Sequence, residues 1–541
     1  MDAPDARSPR GEEVKDIRPR GGARERFLGA GRGGDRDKNR RPGRLLAVFK
    51  GLVIIALLAV TTYGMLDSSL YMDKLWLPVA VGILVLLFVT LFARGFYWDL
   101  PGVGVLLIGL LAALVAVKGL SMIWTISETE TIKETLRSSV YLATFIMALA
   151  ALTSGRQVGP LMDISALAVT AVAGYGLLQK IKPVAYPVKS LDGVRVDSTL
   201  GYANTTAVIL GMGVVLALAR MGTLRNPALR GLYAALVLSF LVTLYLTVSR
   251  GGIGSLGIGF ILLFALGSGR LQMLANLLLL SLPGAWLLWR MQDLHGLLRI
   301  GIPRQEKIAD GTLFRNDLIV ALLAAFALQA GYALLLNRFE LVPAIRRAVG
   351  VLAVAAVVLL AVIGSFVVVD RYGGAEEPGN VGQRLTSLDI SSRGDYWRVA
   401  LQAWKENPFT GTGAGTFQYT WLEDRPSLKG VKQVHNVYLE QGTETGVFAF
   451  LALVGFVGVL VGFTGRAALR SEPHTERRLL LAGLLSALSV YLVSSAFEWH
   501  WYLPASTLFF FILAAIAVKF ASKEDRGAEA DRPAVTVETG G

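Results

Sequence analysis

Long apolar runs separated by short polar segments make up most of the chain between about residues 45 and 520. Each run is close to the roughly 20 residues that an α-helix needs to cross the hydrocarbon core of a bilayer. The pattern therefore predicts an all-α polytopic membrane protein with about 14 transmembrane helices. The predicted helices lie at about 45–65, 75–94, 101–123, 137–153, 159–179, 199–219, 231–249, 252–268, 271–289, 317–336, 348–369, 442–464, 479–497 and 502–520.

The two ends of the chain are polar. Residues 1–44 are rich in Arg, Gly, Asp and Pro and have too few large apolar residues to bury a core, so we expect a disordered, basic cytoplasmic tail rather than a signal peptide. A second disordered cytoplasmic tail is expected at 521–541. Between the tails we expect a transmembrane bundle at 45–369, a large external catalytic loop at 370–441 and C-terminal transmembrane helices at 442–520.

Composition supports a membrane protein. The chain is 53% hydrophobic and 17% charged, whereas soluble chains carry about 25% charged residues. Its net charge of +13 is explained by Lys and Arg in cytoplasmic loops, and no nucleic-acid motif accompanies that charge. The absence of Cys excludes disulfides, thiolate nucleophiles and Cys-ligated metal clusters.

The distribution of charge predicts an orientation. With the N-terminus inside, the basic loops around Arg225, Arg346 and Arg477 face the cytoplasm, whereas the acidic segment "TISETETIKETLR" faces outside, in agreement with the positive-inside rule. The same orientation places the loop at 370–441 outside, in the periplasmic or extracellular space. Loops of this length usually carry function.

Arg250 lies in "YLTVSRGGIGSLGIGF", at the predicted outer end of one helix and the start of the next. A charged residue at this boundary either extends towards lipid headgroups or binds a ligand. The two glycines that follow allow backbone or ligand to approach closely.

The external loop contains "SSRGDYWRVALQAWKENPFTGTGAGTFQYTW". Ser391 or Ser392 can cap a helix, apolar residues from Trp397 onwards recur at helical spacing, and Pro408 ends the run. We expect an amphipathic helix against the membrane or the bundle, with Arg393 in its first turn.

The "GTGAG" stretch that follows is too rich in glycine for a regular element. It is either a simple tight turn or a phosphate-binding loop. The second interpretation is the weaker, because the Lys-Ser/Thr and the βα context of a P-loop are missing.

His435 is the strongest candidate for a general base among the four histidines. In "VHNVYLEQGTETGVFAFLALVG" it lies with Asn436 at the start of a helix, where the partial positive charge suits a diphosphate and favours the neutral imidazole. His474 is predicted to be cytoplasmic, and His500, in "EWHWY", fits an aromatic belt at the membrane interface.

Other polar residues near these motifs are also candidates. In "GVRVDSTLGYANTTAVIL", Arg195 precedes a helix, and Asn204 just inside it either bonds a neighbouring helix or binds ligand. Glu440 and Glu444 follow His435 on one helix, where they could orient sugar hydroxyls or polarise the imidazole.

In their order and spacing, the motifs around Arg250, Arg393 and His435 resemble the core of the O-antigen ligase / O-antigen polymerase family over about residues 240–460. "SMIWTISETETIKE" and "STLGYANTTAVIL" extend the resemblance to about residue 120. It implies an inverting, metal-independent glycosyltransferase without a cofactor. The enzyme would move a glycan from an undecaprenyl-diphosphate donor to an acceptor hydroxyl on the outer face of the cytoplasmic (inner) membrane.

The resemblance also implies roles for individual residues. Arg250 and Arg393, with a lesser match at Arg195, would hold the diphosphate, and His435 would deprotonate the acceptor. The expected partners are the lipid-linked donor, a glycan, lipid or protein acceptor and membrane lipids, with no nucleic acid. Further candidate substrate-binding residues are Asn204, Asn436, Tyr438 and Glu444.

Several functions stay open at this point. The motifs do not separate a ligase from a polymerase or from a protein glycosyltransferase. A flippase of lipid-linked oligosaccharide or a transporter of a small anion is the main alternative, although the charges cluster at the outer surface rather than the midplane and no repeat relates the two halves. A metal-dependent transferase would use an acidic pair such as Glu128 and Glu130, which also fits a solvated loop.

Overall fold

A computed structural model describes residues 44–93, 100–190, 192–338 and 391–522. These described residues form α-helices joined by short 3₁₀ turns and loops, and they include no β-strand. The helices are α1 (Arg44–Leu66), α2 (Asp73–Phe92), α3 (Gly102–Leu120), α4 (Glu128–Ala151), α5 (Val158–Ile181), α6 (Ala203–Thr223), α7 (Pro227–Leu246), α8 (Arg250–Leu266), α9 (Arg270–Met291), α10 (Arg304–Arg338), α11 (Ser391–Glu406), α12 (Phe417–Asp424), α13 (Val437–Arg470), α14 (Glu476–Ser494) and α15 (Pro504–Ser522).

Within the described ranges, eleven helices are long and apolar enough to cross a membrane. The all-α, multi-pass class is therefore confirmed, but the count of 14 is not. Helix α8 has only 17 residues. Helix α4 carries charged residues in its first half, where Glu134 and Arg137 are buried. The predicted helix at 348–369 lies outside the described residues, as do the start of the predicted external loop and nearly all of both predicted tails.

Helices α6 and α15 lie at the centre of the bundle. In each of these two helices, 89% of the residues in an apolar 18-residue stretch are buried by protein, whereas in α2 the share is 22%. Helix α6 packs against α5, α7, α8 and α14. The exposed apolar side chains of the outer helices, such as Val85 and Phe88 on α2, form the kind of surface that lipid covers.

The bundle has two distinct ends. At one end, the loops around Leu266 and Thr475 are tied together, because Ser268 Oγ donates to the Thr475 carbonyl at 3.0 Å and Arg478 Nε donates to the Leu266 carbonyl at 2.8 Å. The starts of α6 and α13 lie at the other end. Helix α6 has 21 residues and is about 30 Å long, so the two ends are separated by roughly that distance.

Candidate functional site

His435 directly precedes the cap of α13. The side chain of Asn436 accepts hydrogen bonds from the backbone N–H groups of Tyr438 and Leu439, both at 3.1 Å, and so caps the helix. His435 has a left-handed backbone conformation, with φ of 59°. This conformation is uncommon for residues other than glycine and is concentrated at functional sites. Because Asn436 caps the helix, the His435 side chain is left for another role.

A carboxylate faces His435 from the connection between α14 and α15. Glu498 is only 3% exposed, and its Oε2 lies 3.6 Å from His435 Nδ1. The Tyr202 hydroxyl donates to the same oxygen at 2.7 Å, while Asn204 Nδ2 donates to Oε1, also at 2.7 Å. Two segments far apart in sequence, at 202–204 and at His435, therefore meet at one buried carboxylate.

Arg393 meets the same carboxylate from the first turn of α11. Its Nη2 donates to Glu498 Oε1 in an ion pair, and its side chain remains 28% exposed. The predicted amphipathic helix is confirmed, and it packs against α13. Through Glu498, the structure thus brings together Arg393, His435 and Asn204, three of the residues singled out from the sequence.

Arg195 joins this network through Asn204. Its Nη2 donates to Asn204 Oδ1 at 2.6 Å, and its Nε donates to the Thr247 carbonyl at 2.7 Å. Asn204 therefore bonds protein groups at both ends of its amide. A ligand role for Asn204 stays a prediction.

Arg250 begins α8, three residues after Thr247. The start of α8 packs tightly on α6, since a Cβ added to Gly252 would lie 2.4 Å from the Ala207 Cβ. Ser249 caps this helix by accepting from the Gly252 N–H at 3.2 Å. Arg250 is thus at the same end of the bundle as Asn204, and its part in donor binding stays a prediction.

Aromatic rings surround the imidazole of His435. Its ring centroid lies 5.6 Å from that of Tyr396 and 6.3 Å from that of Trp499. Trp499 also contacts Tyr202 at 5.0 Å and Tyr71 at 5.3 Å. Trp499, which belongs to the segment "EWHWY", therefore lines the site.

The carboxyl group of Glu498 is buried and yet ionised. Burial alone would raise its pKa, but His435 and the Arg393 guanidinium lower the pKa of the carboxyl to about 2. Burial lowers the pKa of His500 to about 4, so its imidazole is neutral at pH 7. His500 is fully buried, 2.9 Å from Thr205 Oγ1 and 2.8 Å from Ser494 Oγ. His500 thus joins α6 to α14.

The "GTGAG" segment is a tight loop whose N–H groups are all used within the protein. The backbone leaves little space, because a Cβ added to Gly413 would lie 2.1 Å from Thr125 Oγ1, and φ at Gly413 is 109°. The segment is therefore the tight-turn alternative, and its N–H groups already have acceptors other than phosphate. The five amides of 411–415 donate in order to Asn407 O, Thr443 O, Glu444 O, Ser121 Oγ and Glu444 Oε2.

Glu444 holds this loop against α13. Its two carboxylate oxygens accept from the N–H groups of Gly415 at 2.8 Å and Phe417 at 3.1 Å, and its side chain is buried. Glu440 accepts from the Tyr502 hydroxyl at 2.8 Å and is also buried. The Tyr438 hydroxyl donates to the Leu492 carbonyl at 3.1 Å. Substrate contacts by Glu444, Tyr438 and Asn436 stay predictions.

Glu130, one of the acidic pair at the α4 N-terminus, lies among ion pairs. Glu130 is 3.4 Å from Lys133, and the same ammonium is 2.8 Å from Asp73. In the described ranges, no group of three or more His, Asp or Glu side chains is placed to hold a metal ion.

Sequence reasoning missed Glu498. The segment "EWHWY" fits an aromatic belt at the membrane interface, yet a lone carboxylate beside an apolar helix end is a signal in its own right. Its partners Asn204 and Tyr202 lie almost 300 residues earlier in the chain, so only the fold brings them together.

Comparison with known proteins gives one family. No curated protein matches the chain. Residues 318–454 match the family model described as O-antigen ligase, and this segment includes Arg393 and His435. The match supports assigning the chain to the O-antigen ligase family.

Proposed function

We propose that this chain is a membrane glycosyltransferase that moves a glycan from a polyprenyl-diphosphate donor, with undecaprenyl as the expected carrier, to an acceptor hydroxyl. One observation carries the proposal: a cation, Arg393, and a potential base, His435, meet at the same buried carboxylate. Transfer from a diphosphate donor needs both kinds of group in one place.

The chemistry follows from the leaving group. Guanidinium groups bind diphosphate oxygens through paired, charge-assisted hydrogen bonds, which suits Arg393 and Arg250. His435 takes the proton of the acceptor hydroxyl, whose oxygen then forms a bond to the anomeric carbon. The bond from that carbon to the diphosphate oxygen breaks, and the diphosphate leaves with the electron pair while the arginines stabilise its charge. A single displacement of this kind inverts the anomeric carbon.

A transfer assay with purified protein in detergent tests the proposal. We expect radiolabelled glycan to move from the lipid donor to the acceptor without a sealed compartment, and to do so in the presence of EDTA. A carrier or flippase would need a closed membrane and would leave the donor bond intact. Transport into proteoliposomes without any transfer in detergent would contradict the proposal.

The acceptor class is a separate question about the same site. A deletion strain that loses polymer length points to a polymerase, whereas one that keeps the polymer but loses its attachment points to a ligase. Attachment lost only from protein Ser or Thr indicates a protein glycosyltransferase. The glycans of the deletion strain, analysed by size and by linkage, distinguish the three.

We propose that the site faces away from the cytoplasm, because the loops that hold Arg225 and Arg477 lie at the opposite end of the described bundle. The chain has no Cys, so single cysteines report on accessibility cleanly. Leu428 is 90% exposed, and its neighbour Lys429 lies over the Tyr396 ring beside the site. Arg225 is exposed at the other end of the bundle. Each of the two is replaced by Cys in a separate variant. An impermeant thiol reagent should label position 428 in intact cells and position 225 only after lysis. The reverse pattern would contradict this orientation.

A further inference from the structure

The imidazole of His435 has one buried nitrogen and one exposed side. Nδ1 is buried and has no hydrogen-bond partner within 3.5 Å among the described residues, and the carboxylate of Glu498 lies next to it at 3.6 Å. The side chain as a whole is 21% exposed. The exposed surface therefore belongs to the rest of the ring, and only that side can meet an acceptor hydroxyl.

Neutral imidazole carries its proton on one nitrogen and a lone pair on the other. A carboxylate facing Nδ1 favours the tautomer with the proton on Nδ1, since a lone pair there would face a negative charge. The lone pair then lies on Nε2. Hydrogen bonds of this kind are often long in the absence of substrate and shorten when the reacting complex forms.

Glu498 is itself held in place. Asn204 and the Arg393 guanidinium bond Oε1, and the Tyr202 hydroxyl bonds Oε2, so the carboxylate has little freedom to turn away from His435. The charged and titratable groups around it are Arg393 on α11, Tyr202 before α6, His435 before α13 and His500 on its own connection.

We propose that Glu498 is a positioning residue for the base: it accepts the Nδ1–H of His435 and so directs the Nε2 lone pair towards the acceptor hydroxyl. This inference rests on the proposed function. In the transfer step, Nε2 gains the acceptor proton, the acceptor oxygen bonds the anomeric carbon, and the diphosphate leaves with its electron pair. The resulting imidazolium is stabilised by the Glu498 carboxylate until it returns its proton to water.

The test compares pH–rate profiles at saturating donor and acceptor. Glu498→Gln keeps the size of the side chain but loses its charge, so turnover should fall by about 10²-fold or more. The acidic limb of the profile should also move to lower pH, because the imidazolium has lost a neighbouring opposite charge. A merely structural role would lower turnover without moving the limb.

Asp197→Asn is the matched control. Asp197 lies just before α6, is equally buried and accepts from Gln179 Nε2 at 2.7 Å and from the Lys189 N–H at 2.8 Å. Its substitution removes a buried carboxylate from the same end of the bundle without removing the one that faces His435. We expect the acidic limb of the pH–rate profile of this control to lie at the same pH as in the wild type. Glu498→Asp should keep the limb of the wild type with reduced turnover, since the charge remains on a shorter side chain.

A second measurement works without any variant. ¹⁵N NMR of histidine-labelled wild-type protein, with His435 assigned by its absence in His435→Asn, should show Nδ1 protonated and Nε2 free. An Nε2-protonated His435, or a Glu498→Gln protein with wild-type turnover and limb, would overturn the inference while leaving the proposed function intact. Wild-type transfer by a His435→Asn protein would instead remove the base on which both depend.

Discussion

Two buried glutamates at the same end of the bundle show how differently similar carboxylates are used. Glu498 is bonded by the side chains of Arg393, Asn204 and Tyr202 and faces His435. Glu444 is bonded by two backbone N–H groups of the glycine-rich loop. Glu498 therefore brings polar side chains of several segments together, whereas Glu444 fixes the backbone of the glycine-rich loop.

The difference lies in what a ligand can reach. Arg393 and His435 keep roughly a quarter of their side chains exposed, so substrate can contact groups that Glu498 holds. The amides held by Glu444 are enclosed by α4 and α13, and a Cβ at Gly415 would lie 2.8 Å from the Glu134 side chain. Changes around Glu498 should therefore affect the reaction, whereas changes around Glu444 should affect folding.

The largest effect is expected for His435→Ala. Loss of a positioned general base lowers the rate by about 10² to 10⁴-fold, while donor binding, which depends on the arginines, should stay close to that of the wild type. Turnover and donor affinity measured separately check this. His474→Ala is the matched control, because His474 has a similar φ of 69°, is exposed and lies at the opposite end of α13. Equal losses in both variants would show that backbone strain, not chemistry, is responsible.

In the Glu444 region, Gly413→Ala should destabilise the fold by about 2 to 5 kcal/mol, since it combines a positive φ with a close contact to Thr125. The control is Gly430→Ala, where an added Cβ would meet nothing within 4 Å. Thermal unfolding in detergent measures both. The Gly413→Ala protein that does fold should keep the donor affinity of the wild type, and a selective loss of donor binding would instead indicate a ligand role for this loop.

Arg250 extends the comparison to the start of α8, at the same end of the bundle. Arg250→Ala should raise the KM for the donor by about 10- to 100-fold, the effect of losing a charged hydrogen bond. Arg250→Lys should recover only part of it, because an ammonium cannot form the paired contacts of a guanidinium. Steady-state kinetics with varied donor test this, and an unchanged KM in Arg250→Ala would exclude Arg250 from donor binding.

The smallest effect concerns His500, two residues after Glu498. Burial lowers the pKa of His500 to about 4 in the folded protein, so the unfolded chain takes up a proton first as the pH falls below the ordinary value of 6.5. Stability should therefore drop between pH 7.5 and pH 5 by on the order of 1 to 2 kcal/mol. His500→Gln should remove most of this dependence in thermal unfolding, and a dependence that survives in His500→Gln would assign it to other groups.

The sequence predicts the helices well where lipid, rather than protein, sets the composition. Helices α3 and α9 are mostly apolar, and their predicted bounds lie within three residues of the observed ones. Helix α4 was predicted from residue 137 but begins at Glu128, because its first half carries charged residues, of which Glu134 and Arg137 are buried within the protein. The length of an apolar run therefore does not predict where a helix begins if its charged residues are buried and paired within the protein.

Of the candidate site, the sequence indicated the cation and the base but not what joins them. His435 and Arg393 stand out through their motifs, whereas Glu498 became apparent only when the starts of α6, α11 and α13 met at the connection before α15. Likewise, Glu444 follows His435 on one helix, yet its side chain holds the glycine-rich loop. Which neighbours a carboxylate meets is set by tertiary packing, not by its position along a helix.

The most direct test of the central claim is the turnover of His435→Asn at saturating donor and acceptor. Asn tolerates the left-handed conformation at residue 435 and cannot act as a base, so the substitution removes the chemistry while keeping the backbone. We predict a fall of about 10² to 10⁴-fold, with folding and donor binding retained. Near-normal turnover in His435→Asn would contradict the account and leave His435 a structural residue at the start of α13.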